Sequence, residues 1–243
     1  MEPHPAPRRT LVEHLVDDLA RQILRGEVAV GSHLPTMRQL AHDYGVTVAT
    51  AQRAVARLEE MGLISARQGS GLKVRDARRE AGPGVLPHWF AALTDAPAQA
   101  ASLLGDVLEL RRQIAVHLML NLPLAPEELQ PATLDLVEGF RRAQNPEEAM
   151  EIDLMMARTL LALSPQVAYG MMLNLFEQLL RGSPLAIGAI YGEPEGNAAA
   201  YRAAFTTLRD EPSPGRRRAK LESLLEHVDR RALDRLMETL EDA

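Results

Sequence analysis

The sequence predicts a mainly α-helical protein in two parts. An N-terminal winged helix-turn-helix, with a small β-hairpin as its wing, precedes a C-terminal all-α bundle of about seven helices. Three observations carry this. Between Leu34 and Val74 a helix, a glycine turn, a second helix and two short apolar runs follow one another in the order of a winged helix-turn-helix. From Ala98 onward apolar residues recur at helical spacing and no strand pattern is found. Charge is divided as well: residues 1–80 hold 12 Lys and Arg against 10 Asp and Glu, a net of +2, while the remainder holds 15 against 23, a net of −8. That division suggests a nucleic-acid module joined to a part that avoids nucleic acid. The expected domains are 1–76, a linker with a short helix at 77–97, and 98–243.

Residues 1–9 are Pro-rich and lack the apolar core of a secretory leader. A helix is expected from Thr10 to Arg25, with Leu11, Leu15, Leu19 and Ile23 four apart along one face and Gly26 at its end. Thr36 stands where its hydroxyl can cap a helix running to about Tyr44. Gly45 supplies the turn. Thr47 caps the second helix, which runs to about Met61 and is stopped by Gly62. In that helix Val48, Ala51, Val55 and Leu58 are expected to face the core. Ala49, Thr50, Gln52, Arg53 and Arg57 then lie off the core stripe. The N-terminal end of such a helix meets base edges, where Gln can pair with adenine and Arg with guanine. The runs Leu63–Ser65 and Leu72–Val74 flank a tip containing Arg67, Gln68, Gly69, Ser70 and Gly71. With a net of only +2, the placement of Arg38, Arg53, Arg67 and Lys73 must carry the phosphate contacts. The plainer alternative is a solvated helix face with ordinary polar residues.

After Val74, RDARREAGPG reads as a linker. Val85–Leu93 forms a short helix that packs it down, with Trp89 as the anchor. Helices are then expected at about 98–121, 126–143, 146–163, 165–181, 195–209, 214–228 and 229–241. The breaks fall at Asn121 to Pro123, Asn145-Pro146, Ser164-Pro165, Gly182 to Pro184 and Glu211 to Gly215. Proline suits a helix's first turn, where an N–H has no helical partner.

Composition narrows the function. Hydrophobic residues make up 46% and charged residues 25%, a globular balance, and there is no Cys to build a disulfide or a thiolate site. No apolar run approaches the ~18 residues of a membrane helix, so no membrane partner and a cytoplasmic location are expected. A Gly-rich phosphate loop, a HExxH helix and a nucleophile elbow are missing, and the seven His are scattered at positions 4, 14, 33, 42, 88, 117 and 227. An enzyme is not expected.

Leu34–Ala41 (LPTMRQLA), Gly45–Thr47 (GVT), Leu58–Ile64 (LEEMGLI) and Gly69–Gly71 (GSG) together resemble the DNA-binding domain of GntR-family transcription regulators. The resemblance implies that Arg38, Thr47, Thr50, Gln52 and the Gln68–Gly69 wing tip touch a duplex operator. Two departures bear on the operator. Met37 stands where many relatives carry Glu, and Val48 and Gln52 stand where many carry Arg.

Most of residues 85–230 resemble the helical sensor of the FadR-type, fatty-acid-responsive branch of that family. Val107–Ile114 (VLELRRQI), Asp153–Arg158 (DLMMAR) and Ser164–Asn174 (SPQVAYGMMLN) carry the likeness. It implies a homodimer on a two-fold operator, released by a small-molecule effector, foremost a long-chain acyl-CoA or fatty acid. Arg111, Asp153, Tyr169 and Tyr201 become the candidate ligand contacts. Leu118, Met119, Leu120, Leu154, Met155, Met156, Met171 and Met172 would suit an acyl chain or serve as ordinary core. Many relatives in the wider sensor group hold a metal with one Asp and three His. Here Asp153 remains, but Ala157 and Tyr201 replace His, and His227 falls about a turn late. No metal or other cofactor is expected, and Asp153 reads as a buried ion pair with Arg111. The alternatives are a regulator answering to an organic acid or other metabolite, and a winged-helix protein-interaction module.

Overall fold

A computed structural model describes residues 10–67, 71–122, 126–163 and 166–242, with backbone alone for 126–132. Contacts divide the chain into two compact units, Met1–Leu93 and Thr94–Ala243.

The first unit is built from α1 (Leu11–Leu24), β1 (His33–Leu34), α2 (Met37–Asp43), α3 (Val48–Glu60), β2 (Ile64–Arg67), β3 (Gly71–Val74), the single turn α4 (Ala77–Glu80) and α5 (Leu86–Ala92), which a 3-10 turn precedes. Its core gathers Leu15, Leu19, Leu40, Val55, Leu58, Ile64 and Val74. All three leading helices start on threonine. Thr10 and Thr36 form capping boxes with Glu13 and Gln39, and the Thr47 hydroxyl accepts the Thr50 N–H at 3.1 Å. Gly45 and Gly62 take φ of 62° and 77°, the left-handed conformation that turns the chain out of α2 and α3.

The wing has one strand more than the sequence suggested. β1 pairs antiparallel with β3, so the order is β1-β3-β2, with His33 opposite Lys73 and Ile64 opposite Val74. The Ala66 N–H donates to Glu59 Oε1 at 2.9 Å and ties the wing to α3.

Several expectations are corrected. Leu11 is 63% exposed at the start of α1, and the buried face is Leu15, Val16, Leu19, Ala20 and Ile23. Val48 is 43% exposed, whereas Thr50 and Ala54 join Ala51, Val55 and Leu58 in the buried face of α3. Val48 sits in the first turn, on the shoulder of that stripe. The segment after Val74 is not merely a linker. Asp76 caps α4, Val85 enters the first core, Trp89 packs against it, and Arg25 Nε donates to the Ala92 carbonyl at 2.7 Å.

The second unit contains α6 (Pro97–Leu120), α7 (Pro126–Arg142), α8 (Pro146–Ala162), α9 (Val167–Arg181), α10 (Pro184–Tyr191), α11 (Pro194–Asp210) and α12 (Pro214–Glu241). Six of these carry Pro at the first position. α10 is absent from the expected set. It is apolar on every side, so it shows no stripe. It is buried through Ala186, Ile187, Ala189, Ile190 and Tyr191 and packs against α8, α9 and α12. The expected helices at 214–228 and 229–241 are one helix, α12, because neither Gly nor Pro interrupts the chain after Gly215. α12 packs along α6, α10 and α11. The expected break at Ser164-Pro165 lies outside the described residues.

Candidate nucleic-acid interface and buried polar cluster

The outward side of α3 carries Val48, Ala49, Gln52, Arg53, Ala56 and Arg57, all exposed. Arg38 is exposed on α2, and Arg67 and Lys73 are exposed on the wing. Arg38, Arg53, Arg57 and Arg67 have no ion-pair partner among the described residues, whereas Arg21, Arg25 and Arg75 of the same unit are paired with Asp18, Glu27 and Glu80. A guanidinium with no acid beside it keeps its charge available for an external anion.

Thr47 and Thr50 are placed differently from the rest of the expected set. Their hydroxyls lie 2.9 Å apart and Thr50 is buried. Both are engaged in closing the helix end. Arg53 Nε leans on the Ala49 carbonyl at 3.5 Å, a marginal hydrogen bond that leaves its other nitrogens outward. Gln68 and Gly69 lie outside the described residues.

The helix-turn-helix is held to α1 by a second polar group. Tyr44 OH donates to Asp18 Oδ2 at 2.5 Å, Gln22 Nε2 donates to the same oxygen at 2.9 Å, and Arg21 pairs with Oδ1. Burial raises the Asp18 pKa, but hydrogen bonds from Tyr44 and Arg21 outweigh it and hold the carboxyl below its ordinary value. Burial and Asp18 push the Tyr44 phenol up to about 12.

In the second unit five helices bring polar side chains to one place. Arg111 and Arg112 come from α6, Asp153 from α8, Tyr191 from α10, Tyr201 from α11 and Asp229 from α12. Arg111 Nη1 is 3.7 Å from Asp153 Oδ2, and its Nη2 is 3.1 Å from Asp229 Oδ1. Arg112 Nη1 donates to Asp229 Oδ2 at 2.6 Å. Asp153 accepts the Tyr191 hydroxyl at 2.7 Å and also the Tyr201 hydroxyl. Two cations and two carboxylates balance. Burial works against the Arg111 charge, but Asp229 and Asp153 outweigh it and its pKa rises. Burial first, then Asp153, pushes both phenols well above their ordinary value. Arg111 also stacks over Phe176, 5.5 Å from the ring centre, and its Nε is buried without a hydrogen-bond partner among the described residues.

Of the four expected ligand contacts, Arg111, Asp153 and Tyr201 converge here. Tyr169 stands edge-on to His117 instead, with ring centres 5.5 Å apart. The expected ion pair of Asp153 with Arg111 is present, but Arg112, Tyr191 and Asp229 were not foreseen. Asp229 had a legible signal, an acid on the stripe of Leu221, Ala232 and Leu236. Tyr191 had none, lying at the end of a segment with no stripe. Met155 and Met171 are 52% and 63% exposed and do not line an interior, whereas Met119, Leu154 and Met156 are buried.

These donors do not fit a metal. Asp153 already accepts two phenols and faces a guanidinium, Ala157 has no ligand atom, and His227 is exposed on α12. Among the described residues no group of three His, Asp or Glu is placed to hold one. Among them also, no helix is long and apolar enough to cross a membrane.

Comparison with known proteins agrees with the first unit's geometry. Residues 11–74 match the family described as bacterial regulatory proteins, gntR family. The chain is 32% identical over 148 residues to the HTH-type transcriptional regulator Mce2R of Mycobacterium tuberculosis, covering 59% of this chain and 58% of that protein. It is 27% identical over 199 residues to an uncharacterized HTH-type transcriptional regulator of the same species, covering 79% and 77%. The match to Mce2R thus spans a little over half that relative's length. Among solved structures, that of Lar, described as controlling expression of the Listeria monocytogenes agr system, aligns with 93% of this chain and 98% of its own. The TM-score is 0.51 at 18% identity, a likeness of fold.

Proposed function

We propose, from the match of residues 11–74 to the gntR family of bacterial regulatory proteins, that this chain is a transcription regulator that binds duplex DNA. The carrying observation is the set of guanidiniums without an ion-pair partner among the described residues, Arg38, Arg53, Arg57 and Arg67, around the exposed face of α3. In the proposal α3 enters the major groove and its Ala49, Gln52 and Arg53 meet the duplex. Arg38, Arg67 and Lys73 neutralise phosphates. Thr47 and Thr50 hold the helix end against the backbone, and Gln68 and Gly69 touch the duplex. The test is fluorescence anisotropy of the full chain on labelled genomic fragments at stepped salt. Binding that weakens steeply with salt supports the proposal, and no binding at low salt rejects it.

The proposal extends to the second unit as a FadR-type effector sensor in a cytoplasmic homodimer. Its effector is a long-chain acyl-CoA or fatty acid that engages Arg111, Asp153 and Tyr201, with Tyr169 beside the acyl chain. Supporting it is the buried Arg111 Nε–H, a donor with no acceptor among the described residues. The same donor favours a second reading, an organic acid whose carboxylate completes the cluster. Either effector weakens operator binding by its differential affinity for two arrangements of the dimer. An operator gel shift unchanged by saturating long-chain acyl-CoA and fatty acid but relieved by a short polar organic acid would select the second.

A further inference from the structure

The outward face of α3 is chemically graded. At about 100° per residue, Val48, Gln52, Ala56, Ala49, Arg53 and Arg57 follow one another around that side in this order, and all six are exposed; Glu59 and Glu60 share the side in the last turn, away from the N-terminal end, and Glu59 accepts the Ala66 N–H of the wing. One edge is hydrocarbon and amide, the middle is two methyl groups, and the far edge is cationic. Val48 is the unexpected member. A β-branched side chain at 43% exposure stands in the first turn, whereas the other large apolar residues of α3, Val55 and Leu58, turn inward. The hydroxyls near it are engaged, since those of Thr47 and Thr50 bond to each other and that of Thr47 also accepts the Thr50 N–H.

Each part of this gradient matches a different part of a duplex. In the major groove thymine presents a C5-methyl group that apolar side chains contact, and adenine presents the N6/N7 pair that a Gln amide binds in two-point fashion. Guanine is bound best by Arg or Lys, and neither occupies the edge formed by Val48 and Gln52. Those two residues are four apart, which makes them neighbours on the helix surface. Ala49 and Ala56 between the edges extend no further than Cβ, so the helix backbone can approach the bases closely. Arg53 and Arg57, on the opposite edge, are suited to a phosphate strand.

We infer that α3 reads an A·T step: a thymine methyl packs on Val48 and Ala49, an adenine is held by Gln52, and Arg53 and Arg57 serve phosphates alone. This rests on the DNA-binding reading above and assigns the base chemistry of that site.

The test selects duplexes from a random pool with the full chain. Each thymine of the selected site is then replaced singly by deoxyuridine, which removes the C5-methyl and nothing else. One position is expected to weaken binding about fourfold, the worth of one buried methyl-sized group. Val48→Ala should shrink that penalty, and Gln52→Ala should weaken binding about tenfold while relaxing the adjacent adenine preference. Both variants should keep the wild-type salt dependence on random DNA. The inference is overturned if the selected sites carry G·C at the positions sensitive to α3 variants, or if the deoxyuridine penalty is the same in Val48→Ala. If no duplex is retained at any salt, the DNA-binding reading falls together with the inference. Salt-dependent retention of G·C sites overturns the inference alone.

Discussion

Asp153 shows what one residue does in the second unit. It is buried, and its two oxygens take both phenols while Arg111 stands 3.7 Å away. Asp153→Asn leaves Arg111 to Asp229 alone, within a largely buried cluster. Breaking a buried pair costs about 3–5 kcal/mol, and since Asp229 remains the lower end, about 3 kcal/mol, is expected in urea unfolding. A loss under about 1 kcal/mol, the range of exposed pairs, would mean that the cluster is solvated. Tyr44 makes a pH prediction. Its phenol is raised from 10 to about 12 by burial and by Asp18. The folded state therefore favours the neutral phenol. That contribution is whole below pH 10 and is lost as pH rises through about 12. Asp18 acts on the acid side, because its lowered pKa gives a contribution present above the ordinary carboxylate value and lost as pH falls through the depressed one. Thermal unfolding of Tyr44→Phe should lose less stability than wild type across the alkaline window.

At the scale of elements, glycines fix where α2 and α3 end, and two of them separate two physical effects. Gly45 and Gly62 both have positive φ, but a Cβ at Gly45 meets nothing within 4 Å, while one at Gly62 would lie 2.6 Å from the Glu80 carbonyl oxygen. Gly45→Ala should cost about 1–2 kcal/mol for the left-handed backbone alone. Gly62→Ala should cost clearly more, because the α4 turn must move away from the end of α3. Equal losses in paired denaturant titrations would show that α4 gives way freely. The continuity of α12 has a similar meaning. Asp229 reaches Arg111 and Arg112 from the interior of one 28-residue helix, which holds its carboxylate in register with α6.

On the scale of the whole molecule, charge is sorted between the units. The first 80 residues carry a net of +2 within a chain of −6. So small an excess means that phosphate binding depends on a few well-placed cations. Each neutralised phosphate contributes about −0.9 to the slope of log K against log salt. Arg38→Ala should therefore weaken binding to all duplexes alike and reduce that slope by about 1, measured by anisotropy at several salt concentrations. A variant that changes sequence preference and leaves the slope alone would give Arg38 a base-reading role. Thr47→Ala, which removes the cap of α3, should cost about 1 kcal/mol of stability without altering the slope.

The helix-turn-helix was legible because its signals are local. A threonine cap binds an N–H three residues on, a glycine turns the chain where it stands, and an apolar stripe needs no distant partner. Thr36, Gly45, Thr47 and Gly62 therefore marked the ends of α2 and α3 within a residue or so. Periodicity likewise found the helical second unit, but it could not find α10, whose apolar residues surround it on all sides. Tertiary structure alone decided the rest. Val48 faces outward because the core is already filled from Ala51, Ala54, Val55 and Leu58. Asp153 acquires its phenols and guanidinium from residues 38 to 48 positions away in the chain and from α6 before it. Burial and long-range pairing are properties of how elements meet, and a linear pattern holds no distance between residues that only the folded chain brings together.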